Sequence, residues 1–352
     1  MDPFTHLLTG AALARSGFNR KVAYATAAMV LAADVPDIDS LWSFRGSVPG
    51  FEHHRGWTHS FLGLPLDALI AFAIIWLVHR WRLKRGKATI APVRWAMLYV
   101  LCLLAAASHL LLDFTNNYGV RPFFPFHDRW YNAGIVFIFD PVIFGVLLLA
   151  LVAPPLFALV NSEVGARRQP FRGRGWSVFA LLTVVCLWGL RTYERRQAIN
   201  IAAQDGVPET MRVDANPYPI NPFQWQTVTE TPAFYRLATV NTLNNSIGDT
   251  ETVYKPATTL ATLAAKRSDL GRVYLDWAAY PIVEDLGTGA PVDDAPVAGQ
   301  INTVIFGDMR FRYPTPILGR RVANPLGATV LVDQDHHVVD QRMSTVTGVG
   351  KR

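Results

Sequence analysis

His6, the carboxylates Asp34, Asp37 and Asp39, the run His53-His54-Arg55-Gly56-Trp57-Thr58-His59, and the pair His109 and Asp113 supply nitrogen and oxygen donors of the kind that hold a divalent cation. Each group stands at the end of an apolar stretch, where an imidazole or a carboxylate is costly without a partner. His109 and Asp113 lie four residues apart at the end of a helical run, so they project from one face and can chelate one ion, zinc by ligand type. Taken alone, that pair reads as a hydrogen-bonded cap; with three further clusters on the same side of the chain, the metal reading prevails.

Asp34, Asp37 and Asp39 follow a run of small residues, and Pro36 forces the backbone out of α-helical geometry among them. Carboxylates at a helix C-terminus oppose the macrodipole, and a bound cation would compensate. Asp34 and Asp37 are the better candidates for chemistry, while Asp39 can instead cap the next turn. His59 is the strongest single ligand candidate, with Thr58 or Ser60 suited to capping the helix that follows. His54 is either another ligand or a proton shuttle. Arg55 is either a clamp for a phosphate or carboxylate, through its paired donors, or a contact to a lipid headgroup.

Residues 116–129 form an aromatic, proline-rich loop that can roof a pocket, although aromatics at a membrane surface are common. His127 in that loop and Asp140 in Phe139-Asp140-Pro141 are expected to support the ligands from behind, Asp140 as an acceptor orienting a histidine. Cys102 and Cys186 fall inside apolar segments and imply no disulfide framework. No His-Glu-x-x-His helix, Gly-x-Ser-x-Gly elbow or Walker loop is present.

The elements that must position these groups are membrane helices. The chain of 352 residues is 51% hydrophobic and only 17% charged, which excludes an ordinary soluble globule. Four stretches approach the length that crosses a bilayer: Phe61 to Val78, Trp95 to Leu112, Ile135 to Val160 and Trp176 to Leu190, the last being short. Phe4 to Ala14 and Val22 to Leu31 are shorter and read as helices that dip into the bundle. The net charge of +6 comes largely from two short loops, one with Arg80, Arg82, Lys84, Arg85, Lys87 and Arg94, the other with Arg167, Arg168, Arg172 and Arg174. Such loops stay cytoplasmic, so nucleic acid is not an expected partner and the candidate ligands collect on the opposite, extracytoplasmic face. Arg191, Arg195 and Arg196 conflict with that orientation, because they follow the fourth span on its outer side.

From residue 198 the texture changes to proline, asparagine and threonine with short β-prone runs, among them Arg272 to Leu275, Thr303 to Phe306, Phe311 to Tyr313 and Ala328 to Val332. The expected architecture is an α-helical membrane bundle of about four spanning helices plus two short N-terminal ones over residues 1–197. A β-rich extramembrane domain over 198–352 completes it.

Thr5-His6 with Gly10, Asp34 to Asp39, His54 to Ser60, His109 to Asp113, Tyr118-Gly119 and Asp140-Pro141 together resemble the YdjM-type family of bacterial inner-membrane metal-dependent hydrolases, over roughly residues 1–155. That family is distantly similar to zinc-dependent phospholipase C and the S1/P1 nucleases. The resemblance implies His6, Asp34, His59, His109 and Asp113 as ligands of zinc or another divalent metal. The soluble enzymes' later histidine and glutamate ligands have no clear match here, His127 being the only nearby candidate. The implied function is hydrolysis of a phosphoester or phosphodiester, lipid-like or small, by a metal-activated water, with Asp34 or Asp37 accepting its proton and Arg55 steadying negative charge. The alternative is a non-catalytic membrane protein whose metal staples short helices while the β-rich domain binds a protein partner. A closed shell of four protein ligands would favour that alternative.

Overall fold

The computed structural model describes residues 1–87, 89, 91–163, 173–290, 300–314, 317 and 324–346. Arg167, Arg168 and Arg172 of the second basic loop lie outside the described residues. The chain runs through α1 (Pro3–Arg15), α2 (Ala25–Ala32), a 3-10 stretch Val35–Arg45, α3 (Ser47–His53), a 3-10 turn Trp57–His59, α4 (Leu64–Lys84), α5 (Trp95–Thr115), α6 (Pro141–Glu163) and α7 (Arg174–Gln204). It continues as β1 (Arg212–Pro217), β2 (Gln224–Glu230), β3 (Phe234–Asn241), β4 (Ser246–Tyr254), α8 (Leu260–Arg267), α9 (Asp269–Trp277), β5 (Pro281–Thr288), β6 (Asn302–Asp308), β7 (Asn324–Val332) and β8 (Val338–Val346).

Two compact units result: Met1–Ser40 with Arg55–Arg191, and Leu41–His54 with Thr192–Arg352. The first is helical apart from its loops, with the isolated β-bridges Asn116 to Val136 and Val120 to Tyr131 in the segment between α5 and α6. Among the described residues α4, α5 and α7 are long and apolar enough to cross a membrane, and α6 has an apolar portion over Pro141–Phe157. The fourth expected span does not stop at Leu190: α7 continues to Gln204, 31 residues, or about 46 Å at the α-helical rise. The division expected at 197/198 from composition therefore falls inside a helix. Residues 41–54, placed by sequence with the first domain, belong to the second unit.

Small residues hold the first unit together. Ala14, Ala25, Ala28, Ala32, Ala68, Ala71 and Ala105 are buried with Met29, Leu98, Leu101 and Cys102 where α1, α2, α4 and α5 meet. In lipid, where burying apolar surface gives little drive, such residues let backbones approach closely. Gly10 is the extreme case, since a Cβ there would meet the Met29 carbonyl oxygen at 2.4 Å. This close crossing sets α1, and with it His6, against the end of α2 that leads into Asp34 and Asp37. A second cluster joins α1, α5, α6 and α7 through Ala12, Leu112, Ile143, Leu147 and Ala180.

The second unit carries two four-stranded antiparallel meanders, β1-β2-β3-β4 and β5-β6-β7-β8. Val228, Tyr235 and Leu237 of the first sheet share a buried cluster with Ile282 and Ile305 of the second and with Tyr280, which immediately precedes β5. Thr303 to Phe306 and Ala328 to Val332 are strands, as their composition predicts. Arg272 to Leu275 is not: it lies in α9, where Ser268 caps the N-terminus and the buried residues Leu270, Gly271, Tyr274 and Trp277 repeat at helical spacing. Phe311 lies in a 3-10 turn. Phe51 of α3 packs against Tyr274 and Trp277, with ring centroids 6.0 and 5.3 Å apart.

Candidate metal centre

Four side chains converge in the helical unit. Asp37, His59, His109 and Asp113 each offer one ligand atom, all within 4.8 Å of one another. His59 Nε2 lies 3.0 Å from His109 Nε2, 3.5 Å from Asp37 Oδ1 and 3.3 Å from Asp113 Oδ2. His109 Nε2 lies 3.6 Å from Asp37 Oδ1 and 3.5 Å from Asp113 Oδ2. Tetrahedral zinc with bonds of about 2.0–2.1 Å separates its donors by about 3.3 Å, so these five separations match the edges of such a shell.

The tautomers agree with that reading. The Ala33 carbonyl accepts from His109 Nδ1 at 2.6 Å, leaving the lone pair of Nε2 directed inward. Asp39 Oδ2 accepts from His59 Nδ1 at 3.2 Å and does the same for that ring. Two nitrogen lone pairs facing each other at 3.0 Å repel unless a cation lies between them. Without a metal, a proton fills that role. Burial opposes charge on His59, yet hydrogen bonds with Asp37 and Asp39 outweigh it and its pKa is raised. Burial likewise opposes charge on Asp37, but the His59 hydrogen bond and the charges of His109 and His59 hold its carboxyl well below the usual range.

Each donor is delivered by a different piece of local structure. His109 and Asp113 stand one turn apart on buried positions of α5. Asp37 and Asp39 come from the 3-10 stretch after α2, where Pro36 and the tight repeat bring both carboxyls inward. His59 ends a 3-10 turn that packs under α4, and a Cβ on Gly63 would meet the Trp57 carbonyl oxygen at 1.9 Å. Helix α4 starts at Leu64 without a side-chain cap of its own; Ser60 Oγ accepts from the Gly63 amide at 3.0 Å.

Asp113 divides its two oxygens between tasks. Oδ2 faces the histidines, whereas Oδ1 meets Arg55 Nη2 at 2.9 Å, Asn116 Nδ2 at 3.3 Å, His6 Nε2 at 3.4 Å and the Met1 amino group. Arg55 is buried and committed: it also donates to the Gly119 carbonyl at 2.7 Å and lies over the Tyr118 ring. The expected clamp on substrate is thus a holder of Asp113, because its fork is already engaged. Its backbone adopts a left-handed φ of 56° and its amide donates to Asp39 Oδ2 at 2.7 Å, a conformation costing about 1–3 kcal/mol that the surrounding contacts offset.

The remaining expected residues separate into near and distant. His6 stacks on His109 at 3.7 Å between centroids, and neither of its ring nitrogens has a hydrogen-bond partner among the described residues. Asp34 stands outside the four-donor group, which takes Asp37 in its place. Burial and the neighbouring Asp37 charge raise the Asp34 pKa, and its Oδ1 is buried without a hydrogen-bond partner among the described residues. His54 is not in the group. Among the described residues Asp140 meets no ligand histidine; it caps α6 by accepting from the Val142 and Ile143 amides at 3.0 and 3.1 Å and pairs with Arg191 at 2.8 Å. His127 is exposed in the aromatic loop, against Phe123 and Tyr131. Asn116 carries no motif that marks it in the sequence, yet its Oδ1 accepts from the Tyr118 amide at 2.8 Å while its amide group steadies Asp113. Asp67 is a further buried carboxyl, in the first turn of α4. An acid inside an apolar span was the available signal for Asp67.

Comparison with known proteins places the same residues in a family. YfhP of Bacillus subtilis (strain 168), itself an uncharacterized protein, is 29% identical over 152 residues, covering 41% of this chain and 43% of its own length. The chain therefore matches less than half the length of that relative. No solved structure matches the chain. The family pattern described as YdjM inner membrane protein matches residues 1–198, a stretch holding every donor described above, and the chain belongs to that family.

Proposed function

We propose that the chain is a membrane-bound, metal-dependent hydrolase that cleaves a phosphoester or phosphodiester, lipid-like in kind, with water as nucleophile. The observation that carries this reading is the convergence of two imidazole nitrogens and two carboxylate oxygens at 3.0–3.6 Å, with the Asp37 side chain, 20% exposed, on the accessible side. Asp37, His59, His109 and Asp113 would hold the ion, and zinc suits this nitrogen and oxygen set. A bound divalent ion of this kind lowers the pKa of water and polarises a phosphoryl oxygen.

The chain's own residues supply the rest. Asp34 accepts the proton of the attacking water, a role its raised pKa suits. Asp39 and the Ala33 carbonyl fix the two histidine rings, and Arg55 with Asn116 fixes Asp113. His6, buried with Nε2 3.4 Å from Asp113 Oδ1, is a further donor available to a second ion. The motif resemblance to zinc-dependent phospholipase C and S1/P1 nucleases supports a phosphodiester as substrate. A family location in the inner membrane supports a membrane lipid as its source.

A structural metal that staples α2 to α5 is the second reading, favoured by the fact that four protein side chains provide donors. One experiment separates the two. The purified full-length chain, loaded with zinc, is assayed on bis(p-nitrophenyl) phosphate, p-nitrophenyl phosphate and an amide substrate. Hydrolysis of the diester that a chelator abolishes, and that Asp34→Asn lowers by roughly 100-fold or more, is expected. Stoichiometric zinc with no turnover of any substrate would overturn the hydrolase reading and leave the staple.

A further inference from the structure

The surface beside the metal centre is apolar, and it joins the lipid-facing stripe of a spanning helix. On α4, Leu66, Leu69, Ile70, Ile74 and Leu77 are exposed, the pattern of a helix face turned to lipid. That stripe does not end with the helix. Leu62 and Phe61 extend it, Phe61 being 57% exposed, two residues from the ligand His59. Trp57, 55% exposed, lies two residues before His59, and Phe123 and Phe126 of the 116–129 loop are exposed as well.

These aromatics are fixed in place. The Phe61 amide donates to the Pro122 carbonyl at 2.8 Å, and Phe61 meets Phe123 edge to face at 5.5 Å. Trp57 meets Phe124 in the same way at 5.5 Å. The loop that carries Phe123 is closed by paired backbone hydrogen bonds between Val120 and Tyr131 of 2.8 and 2.9 Å. An apolar, aromatic rim held this way and continuous with the exposed stripe of α4 has the chemistry that favours the boundary between headgroups and acyl chains.

We propose that Trp57, Phe61 and Phe123 form the acyl-chain subsite of this centre, so that the substrate is a diacyl phospholipid entering sideways from the leaflet, its phosphate reaching Asp37 while its chains stay against the rim. This rests on the hydrolase reading and adds the residues that select the substrate. The occupant is lipid, because the rim is continuous with the exposed apolar stripe of α4, and the partly exposed donor of the centre, Asp37, is a carboxylate suited to a metal-bridged phosphate.

The test uses the full-length chain in nanodiscs of dioleoyl phosphatidylcholine and has two readouts. In the first, phosphatidylcholine brominated near the glycerol end of its chains quenches tryptophan emission, and the wild type is compared with Trp57→Phe. A quenched component that vanishes with Trp57 is expected; an unaltered quenching profile would overturn the proposal, whatever the enzyme does. In the second, Trp57→Ser combined with Phe61→Ser lowers the ratio of dioleoyl phosphatidylcholine turnover to bis(p-nitrophenyl) phosphate turnover by about tenfold or more, the scale of two lost, partly exposed apolar contacts, with bound metal retained. Equal loss on both substrates would overturn the subsite. Wild type that turns over neither substrate would refute the hydrolase reading, and the quenching comparison would then decide the rim by itself.

Discussion

At the scale of single residues, the centre depends as much on the groups behind the donors as on the donors. Asp39 accepts from the Arg55 amide, the Thr58 hydroxyl and His59 Nδ1 at 2.7, 3.3 and 3.2 Å. Its carboxylate therefore ties the segment before α3 to the segment after it and fixes the ligand tautomer. Asp39→Asn is expected to weaken zinc affinity by about 10–100-fold, the usual cost of losing such support, as read by competition with a chromogenic chelator. Affinity equal to wild type would show that His59 is held some other way. The sequence reveals the donor types and their common side, but not which of three closely spaced aspartates faces inward. That choice is made by the 3-10 winding of Val35–Arg45, in which Asp37 joins the group and Asp39 turns to His59. Arg55 illustrates the same limit, for its identity suggests an anion clamp and only its partners reveal that Asp113 already occupies it.

At the scale of elements, close helix crossings set the donor geometry. α1 and α2 approach so closely at Gly10 that a methyl group would collide with the Met29 carbonyl. Gly10→Ala should destabilise the protein by about 1–3 kcal/mol, as overpacking does. It should also loosen metal retention by moving α1 and α2 apart. Thermal unfolding of the reconstituted protein checks this, and an unchanged midpoint would contradict the crossing. Three of the four expected spans were legible because length and hydropathy are strong local signals; the run expected from Ile135 becomes helical only at Pro141, and its described apolar portion ends at Phe157. The end of α7 was not, because its charged residues beyond Leu190 look like a loop until their partners are known: Arg191 pairs with Asp140 and Arg195 with Asp214. The short run Arg272 to Leu275 is as β-prone as its strand neighbours, and only the Ser268 cap and the spacing of Leu270, Tyr274 and Trp277 mark it as helix.

At the scale of the molecule, Arg191 pairs with Asp140 and Arg195 with Asp214, while the basic loop 80–94 remains the charge signal from which an extracytoplasmic β-rich unit is expected. On that expectation a periplasm-active reporter fused at the C-terminal end is active, and a cytoplasmic readout would contradict it. The two-part architecture was legible from the change of texture near residue 198, whereas the membership of residues 41–54 in the β-rich unit was not, because it arises from tertiary packing of Phe51 on Tyr274 and Trp277. The proposed chemistry requires a cation gathered by Asp37, His59, His109 and Asp113. Elemental analysis of the purified, membrane-inserted chain measures it directly: wild type should carry stoichiometric divalent metal, while His59→Ala and Asp113→Asn insert normally and lose it. Full metal content in both variants would contradict the centre.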